Sequence, residues 1–181
     1  MAIDNNEILR MLKSPELRNE GFDALVHAFT QRLYWHIRRM VVVHDDAADL
    51  LQETWIKVFD GIGSFRGSGA ELTVWLYRIA TNNCLSMLRH KYRRPLMFFD
   101  DPGSRLLERF AESEGESSES IESKFQKALL SLPTKQRTVF NLRYYDELSY
   151  AEISRITGIS EASLKTNYHY AQKRIKELMI L

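Results

Sequence analysis

The chain has 181 residues, a net charge of +1 and a hydrophobic fraction of 44%, which suits one large globular domain or two small ones. No apolar run approaches the roughly 20 residues of a membrane span, and the acidic N-terminal segment lacks the apolar centre of a signal peptide. A single cysteine, Cys84, argues against an internal disulfide framework. We therefore expect a cytoplasmic protein with no membrane insertion of its own.

Charge is distributed unevenly and divides the chain into three parts. Residues 1–95 carry +2, residues 96–123 hold 2 Lys+Arg and 8 Asp+Glu for a net −6, and residues 124–181 carry +5. The second half of the middle part is nearly all Glu, Ser, Ala and Gly, which is too poor in apolar residues to order a chain. We expect an all-α protein with two small helical domains, 1–95 and 124–181, joined by a flexible acidic linker, 96–123. A basic unit after an acidic joint favours nucleic-acid binding, although ordinary surface charge gives the same distribution.

The first domain is predicted to contain three main helices. Apolar residues at three- and four-residue steps from Phe22 to Met40 predict the first helix. The second follows Asp45 or Asp46, either of which can cap it. The inward-facing residues of this second helix are predicted to be Leu51, Trp55, Val58 and Phe59.

Three polar residues of the second helix fall at positions i, i+3 and i+4 and therefore share one face. They are Asp49, Gln52 and Glu53. A solvated surface explains them, and so does a docking surface for another protein.

The third helix is predicted from about Thr73 to Tyr92 and presents a mixed stripe opposite its core side. An aromatic ring there can stack on an unpaired base, an amide can bond a base edge, and guanidinium groups can contact phosphates. The stripe consists of Trp75, Arg78, Asn82, Ser86, Arg89 and Arg93. The glycine-rich loop before the helix adds Phe65, a second platform for a base, and Arg66. A solvated face is the alternative, and Trp75 can also belong to the core, in which case Asn83 faces outward.

The second domain predicts a helix-turn-helix motif. Ser149 is placed to cap a short helix, Gly158 supplies a left-handed turn, and Ser160 is placed to cap a longer helix. The outer face of that longer helix carries side chains that can contact base edges and phosphates in a major groove. They are Ser163, Lys165, Thr166, Asn167, His169, Tyr170 and Lys173. A helical hairpin used only for packing is the alternative.

The order of several short segments resembles a known family. DAADLLQETW, SFRG, VWLYRIATNNCLSMLR, LPTKQRTVFNLRYY and ELSYAEISRITGIS follow one another as in bacterial RNA polymerase sigma factors. The resemblance is to the short extracytoplasmic-function (ECF) group, which keeps only regions two and four. It covers roughly residues 22–94 and 121–178.

The resemblance implies a role for each surface. The helix of Asp49, Gln52 and Glu53 would dock on the clamp coiled coil of core RNA polymerase. The segment from Trp75 to Ala80, followed by Asn82, would open the minus-ten promoter element and hold bases of the non-template strand. The helix-turn-helix would bind the minus-thirty-five element, and an anti-sigma factor is an expected partner beside polymerase and promoter DNA.

Departures from the family pattern affect promoter choice. Many members have an acidic residue where Ser86 stands and arginine where Asn167 and Tyr170 stand. Losing a base-reading arginine removes about 1–3 kcal/mol of discrimination.

Two other functions are compatible with parts of the sequence. A stand-alone helix-turn-helix regulator would explain the C-terminal motif, but leaves the stripes of the first domain without a purpose. A metal-dependent enzyme using His44, Asp45, Asp46 and Asp49 is the other, but helix capping explains the aspartates more simply. The remaining histidines, His27, His36, His90 and His169, lie scattered without a ligand spacing. We predict no catalytic residue, metal or cofactor.

Overall fold

The computed structural model describes residues 4–91, 102–114 and 120–180, and these residues are helical, without strands. The helices are α1 (Asn5–Lys13), α2 (Arg18–Val41), α3 (His44–Ile62), α4 (Gly69–Lys91), α5 (Pro102–Glu114), α6 (Ile121–Leu130), α7 (Thr134–Phe140), α8 (Tyr150–Thr157) and α9 (Glu161–Ile180). A short π-helical turn, Asn141–Tyr145, extends α7. The predicted all-α class is confirmed. Arg93 lies outside the described residues.

Helices α1 to α4 form the first unit around the long helix α2. Leu25, Phe29, Leu33 and Ile37 recur every four residues along α2 and are buried, as the apolar periodicity predicted. Helix α3 packs against α2, α4 packs against both, and α1 contacts α2 and α4. The four helices therefore enclose one apolar core.

The start of α3 differs from its prediction. The N-cap residue is Val43, without a side-chain cap, and Asp45 and Asp46 lie inside the first turn, where the helix dipole favours negative charge. The Asp46 carboxylate instead accepts hydrogen bonds from Lys91, at 2.6 Å, and from Arg109, at 3.3 Å. Asp46 therefore connects α3 to the end of α4 and to α5.

The buried face of α3 is also rotated from the predicted one. Its fully or nearly buried residues are Ala47, Leu50, Thr54, Val58 and Ile62. Phe59 was predicted to face inward, which is wrong because its side chain is 51% exposed. A polar residue, Thr54, takes a core position because its hydroxyl donates to the Leu50 carbonyl oxygen at 2.7 Å.

The acidic segment between the two units contains ordered structure. Within the expected flexible linker, α5 is helical, and Leu106 is completely buried against Val42, Leu88 and Leu130. The second unit's first helix, α6, begins at Ile121. The described part of this segment thus packs on both units.

Helices α6 to α9 form the second unit. Arg137 is fully buried and donates to the carbonyl oxygens of Leu130 and Leu132, at 3.2 and 3.3 Å. The Leu130 oxygen lies at the end of α6, where helix carbonyls lack partners within the helix, and the Leu132 oxygen lies two residues further on. Arg137 therefore links α7 to the preceding helix.

The two units share an apolar core. Residues of the second unit belong to the same buried cluster as the interior of α2 and α4. They are Val139, Leu142, Leu148, Ile153, Ile156 and Leu164. In this structure the units therefore pack together as one compact body.

A buried polar cluster lies at the seam between the units. The Asp146 side chain, 4% exposed, accepts hydrogen bonds from His36 Nδ1 at 2.8 Å, from Arg39 at 2.7 Å and from the Tyr77 hydroxyl at 3.4 Å. The second ring nitrogen of His36 lies 2.9 Å from Thr81 Oγ1. Burial, together with the Asp146 charge, raises the pKa of Tyr77 to about 12, so its hydroxyl stays protonated. One carboxylate of the second unit thus holds three side chains of the first.

Candidate polymerase and promoter interfaces

The polar stripe of α3 is exposed along its whole length. Asp49, Gln52 and Glu53 are all exposed, and none forms a hydrogen bond or ion pair with another described residue. The opposite face of α3 is held in the core by Leu50 and Val58. These three side chains therefore project from a fixed helix and are free to contact another molecule.

An apolar patch that the sequence interpretation missed continues this stripe. Ile56 is 61% exposed and Phe59 51% exposed, one and two turns beyond Gln52 and Glu53. The Phe59 ring stands edge-on to Phe22, with centroids 5.1 Å apart. The spacing of Ile56, seven residues after Asp49, was the signal that could have placed it on this face.

The loop between α3 and α4 holds Phe65 next to Trp75. The two ring centroids are 5.2 Å apart and the ring planes are tilted by 42°. Both rings are half-buried. The Arg66 guanidinium donates to the carbonyl oxygens of Gly63 and Phe65, at 3.0 and 3.1 Å. Two aromatic surfaces and a cation thus lie together at the start of α4.

The outer face of α4 presents most of the predicted DNA-binding stripe. Arg78, Asn82 and Arg89 are exposed, while Trp75 and Ser86 are half-buried. The described members of this stripe therefore lie on one side of α4. Trp75 lies at the edge of the core, since a Cβ atom at Gly61 would be 3.0 Å from its ring.

The two neighbouring asparagines of α4 have opposite environments. Asn82 is exposed, whereas Asn83 is 4% exposed and donates to Thr54 Oγ1 at 3.0 Å. The Asn83 carbonyl oxygen accepts a hydrogen bond from Lys57. Asn83 thus joins α4 to α3, and Asn82 remains available to a ligand.

The predicted helix-turn-helix is present with its predicted caps. Ser149 and Glu152 form a reciprocal capping box at the start of α8, and Gly158 ends that helix with φ of 73°. Ser160 Oγ accepts a hydrogen bond from the Ser163 amide, at 3.4 Å, at the start of α9. The helix-turn-helix is therefore stabilised by hydrogen bonds between residues close in sequence.

The outer face of α9 is exposed, as predicted. Leu164, Ala171 and Ile175 anchor the inner face. Asn167 is half-buried and donates to the Ser163 carbonyl oxygen at 2.8 Å. The exposed members of the predicted set are Ser163, Lys165, Thr166, His169, Tyr170 and Lys173. This face therefore exposes two lysines, an imidazole and a phenol.

The described residues hold few groups that could bind a metal ion or react covalently. No cluster of three or more His, Cys, Asp or Glu side chains that could hold a metal ion occurs among them. Cys84 is completely buried, and burial raises the pKa of its thiol. No helix in the described ranges is long and apolar enough to cross a membrane.

Family models match both units. The model for sigma-70 region 2 matches residues 25–94, and the model for sigma-70 region 4 matches residues 122–175. The first match covers α3 and α4 with their two exposed stripes, and the second covers α8 and most of α9. The fold and these matches define an all-α protein of the sigma-70 type with a helix-turn-helix in its second unit.

Similar proteins agree with this assignment. The ECF RNA polymerase sigma factor SigW of Bacillus subtilis is 28% identical over 166 residues, spanning 87% of this chain and 88% of SigW. The fold resembles CnrH, solved with the cytosolic domain of CnrY, at a TM-score of 0.70 and 19% identity over 98% of this chain and 97% of CnrH. It also resembles RpoE of Bartonella quintana, solved with the anti-sigma factor NepR, at a TM-score of 0.68 and 23% identity over 90% and 98% of the two chains. The chain therefore belongs to the sigma-70 family, in its ECF group of alternative sigma factors that direct RNA polymerase to promoters.

Proposed function

We propose that this chain acts in the cytoplasm by docking on core RNA polymerase through α3 and by holding two promoter elements, one with each unit. Polymerase supplies the bond chemistry, and this chain supplies the promoter contacts. The observation that carries the proposal is the exposed α3 face, on which Asp49, Gln52 and Glu53 are followed by Ile56 and Phe59.

The α3 face has the composition of a protein-docking site. An apolar centre with a polar margin is the usual anatomy of a protein interface, and aromatic residues are enriched at its core. Ile56 and Phe59 would supply the apolar contact, and Asp49 and Glu53 would pair with cations of the polymerase clamp. Because α3 is anchored in the core, docking would require little ordering of the helix.

The loop and outer face of α4 suit an opened minus-ten element. Phe65 and Trp75 offer ring faces to unpaired bases, and each stacked base contributes about 1–3 kcal/mol in such complexes. Asn82 offers an amide to a base edge, and Arg78 and Arg89 can contact phosphates. Capture of bases after a transient opening would trap the melted state.

The outer face of α9 suits duplex DNA at the minus-thirty-five element. Lys165 and Lys173 can contact phosphates, and the exposed side chains of Thr166, His169 and Tyr170 can contact base edges. Asn167 is tied to its own helix through the Ser163 carbonyl oxygen. A base contact from Asn167 would therefore require that bond to break.

Binding both elements requires the two units to separate. Elements centred near positions −10 and −35 lie about 85 Å apart along B-DNA, whereas a compact chain of this length has a radius of gyration of about 16 Å. The seam around Asp146 must therefore open on the promoter. The connection between Lys91 and Ile121 is 29 residues long. It spans about 75 Å with α5 kept as a helix and about 100 Å if α5 also unfolds, which together with the width of the two units is sufficient.

The compact arrangement also suggests the regulated state. RpoE of Bartonella quintana was solved with the anti-sigma factor NepR. We propose an anti-sigma factor as a partner of this chain too, which would bind the closed form and keep the seam from opening.

Multi-round transcription with purified core polymerase and genomic promoter fragments tests the proposal. The variant carries Asp49→Ala, Gln52→Ala and Glu53→Arg together. We expect promoter-specific transcripts with the unmodified protein, and at least about a 30-fold loss of core affinity in the variant, equivalent to about 2 kcal/mol.

A matched control changes the net charge by the same amount elsewhere. Glu7→Ala with Glu16→Arg also adds three positive charges, on α1 and the turn after it, at two exposed positions. This control should bind core normally. Equal losses of core affinity in both variants would show that the change in net charge alone causes the loss. Operator binding without any core binding would favour a stand-alone DNA-binding regulator.

A further inference from the structure

The first turn of α4 is held by side chains from α1, more than sixty residues earlier in the chain. The Gly69 amide donates to Asn6 Oδ1 at 3.1 Å. Asn5 Nδ2 donates to the Gly69 carbonyl oxygen at 3.1 Å and to Thr73 Oγ1 at 3.3 Å. The first amides of a helix have no partner within the helix, so Asn6 caps α4 from a different element.

The approach of α1 to α4 is close enough to require a glycine. A Cβ atom at Gly69 would lie 2.8 Å from Asn6 Oδ1 and 3.0 Å from Asn5 Cβ. The other side of α1 is equally close to α2, since a Cβ atom at Gly21 would lie 2.8 Å from the Leu12 amide nitrogen. Helix α1 is therefore fixed on α2 and in turn fixes the start of α4.

The loop that carries Phe65 and Arg66 ends at this contact. Phe65 folds back over Gly67, where a Cβ atom would lie 2.5 Å from its ring. Farther from Gly69, a cavity of about 370 Å³ lies between α1 and the loop. The asparagine contacts at Gly69 are therefore the place where α1 holds this loop by hydrogen bonds.

We propose that Asn5 and Asn6 are positioning residues for promoter opening. They fix the first turn of α4 and, through it, the orientation in which Phe65 and Trp75 meet an unpaired base. This inference rests on the proposed role of the loop in holding non-template bases. A ring that is already oriented loses less freedom when a base stacks on it, so loosening the loop should lower the yield of open promoter.

Isosteric substitutions with opposite expectations test the two residues. Asn5 donates to the Gly69 carbonyl oxygen, so Asn5→Asp removes that hydrogen bond while keeping the shape of the side chain. Asn6 acts on Gly69 as an acceptor, so Asn6→Asp keeps that bond and Asn6→Leu removes it. Because Asn6 Nδ2 donates to Asp4 at 3.2 Å, Asn6→Asp is combined with Asp4→Asn to preserve this pair with its polarity reversed.

Promoter opening is measured at saturating core polymerase with a fluorescent base analogue in the non-template minus-ten strand. We expect Asn5→Asp and Asn6→Leu to slow opening at least fivefold with core affinity unchanged. The Asp4→Asn, Asn6→Asp double variant should open the promoter within twofold of the unmodified protein. Asn19→Asp, at an exposed asparagine of α2, is the matched control and should have no effect.

A second arm separates positioning from general destabilisation. Phe65→Ala is combined with Asn5→Asp, and opening rates are compared in a double-mutant cycle. Positioning through the loop predicts that the combined loss is smaller than the sum of the two single losses, because part of the Asn5→Asp effect acts through Phe65, whereas a general structural defect gives additive losses. Slow opening in Phe65→Ala with normal opening in the asparagine variants, or additive losses, would overturn this inference alone. Normal opening in Phe65→Ala would instead overturn the proposed role of the loop, and the inference with it.

Discussion

The two units differ in how far apart in sequence the residues joined by their side-chain hydrogen bonds lie. In the first unit, hydrogen bonds join residues far apart in sequence, such as His36 to Thr81 and Asn83 to Thr54. In the second unit, most described side-chain bonds reach seven residues or fewer, as at the Ser149 capping box. Within this unit the bond from Gln126 to Tyr145 spans 19 residues, and the longer ones, at Asp146 and Asn141, cross to the first unit.

This difference fits what each unit is proposed to do. Capturing single unpaired bases needs rings and amides held in fixed directions, and bonds between helices hold α4 in that way. Reading a rigid duplex needs a helix that enters a groove as a unit, and local caps and an apolar inner face are sufficient for α9. The seam around Asp146 joins the two units, since Asp146 of the second unit accepts hydrogen bonds from His36, Arg39 and Tyr77 of the first.

The largest effect is expected from breaking the seam. Asp146→Ala leaves His36 and Arg39 without their shared carboxylate in a buried site, which should lower the free energy of unfolding of the compact form by about 3–5 kcal/mol. Urea denaturation measures the loss, and small-angle X-ray scattering should show a larger radius of gyration. An unchanged radius of gyration would mean that apolar contacts alone hold the units together.

The control for this variant removes a carboxylate that has no such role. Asp23 is exposed on α2 and has no hydrogen bond or ion pair with another described residue. Asp23→Ala should therefore change the stability by less than about 0.5 kcal/mol and leave the radius of gyration unchanged.

An intermediate effect is expected at the two adjacent asparagines of α4. Asn83→Leu removes a buried link to Thr54 and Lys57 and should lower the free energy of unfolding by about 1–3 kcal/mol. Asn82→Leu should change stability by less than about 0.5 kcal/mol but slow promoter opening. Urea denaturation and the opening assay, applied to both variants, measure the two effects. The opposite pattern would show that Asn83 is the base-contacting residue.

Local features of the chain were predictable because their determinants are neighbours in sequence. Ser149, Gly158 and Ser160 take the predicted capping and turn positions, because a cap depends on residues three or four positions away. The outward direction of Asn82 followed from helical periodicity in the same way. The all-α class and the helix-turn-helix follow from many such local signals together.

Contacts between distant elements were not predictable from one sequence. Periodicity identifies the apolar face of a helix but not what packs against it, so neither Asp146 at the seam nor the Asn6 cap on Gly69 was foreseen. Phe59 was placed inside because large apolar residues outweighed Thr54 in the pattern of α3, although a hydroxyl bonded within its own helix can take a core position. The helix α5 was missed because its segment was judged by its acidic composition.

The smallest effect is expected from a local contact of the second unit, the Glu152 carboxylate. Hydrogen bonds from the Ser149 hydroxyl and amide, at 2.6 and 2.7 Å, hold the pKa of Glu152 below its ordinary value of 4.5. A lowered pKa in the folded state stabilises the fold above pH 4.5, and this stabilisation is lost as the pH falls below that value and the carboxylate is protonated. Glu152→Gln should therefore be less stable than the unmodified protein by about 0.5 kcal/mol at neutral pH, and the difference should narrow in acid. Urea denaturation of both proteins at about pH 7 and about pH 3.5 measures this, since the other carboxylates titrate equally in the pair and cancel. A difference that stays constant with pH would show that the cap acts through shape and hydrogen bonding rather than through the charge of Glu152.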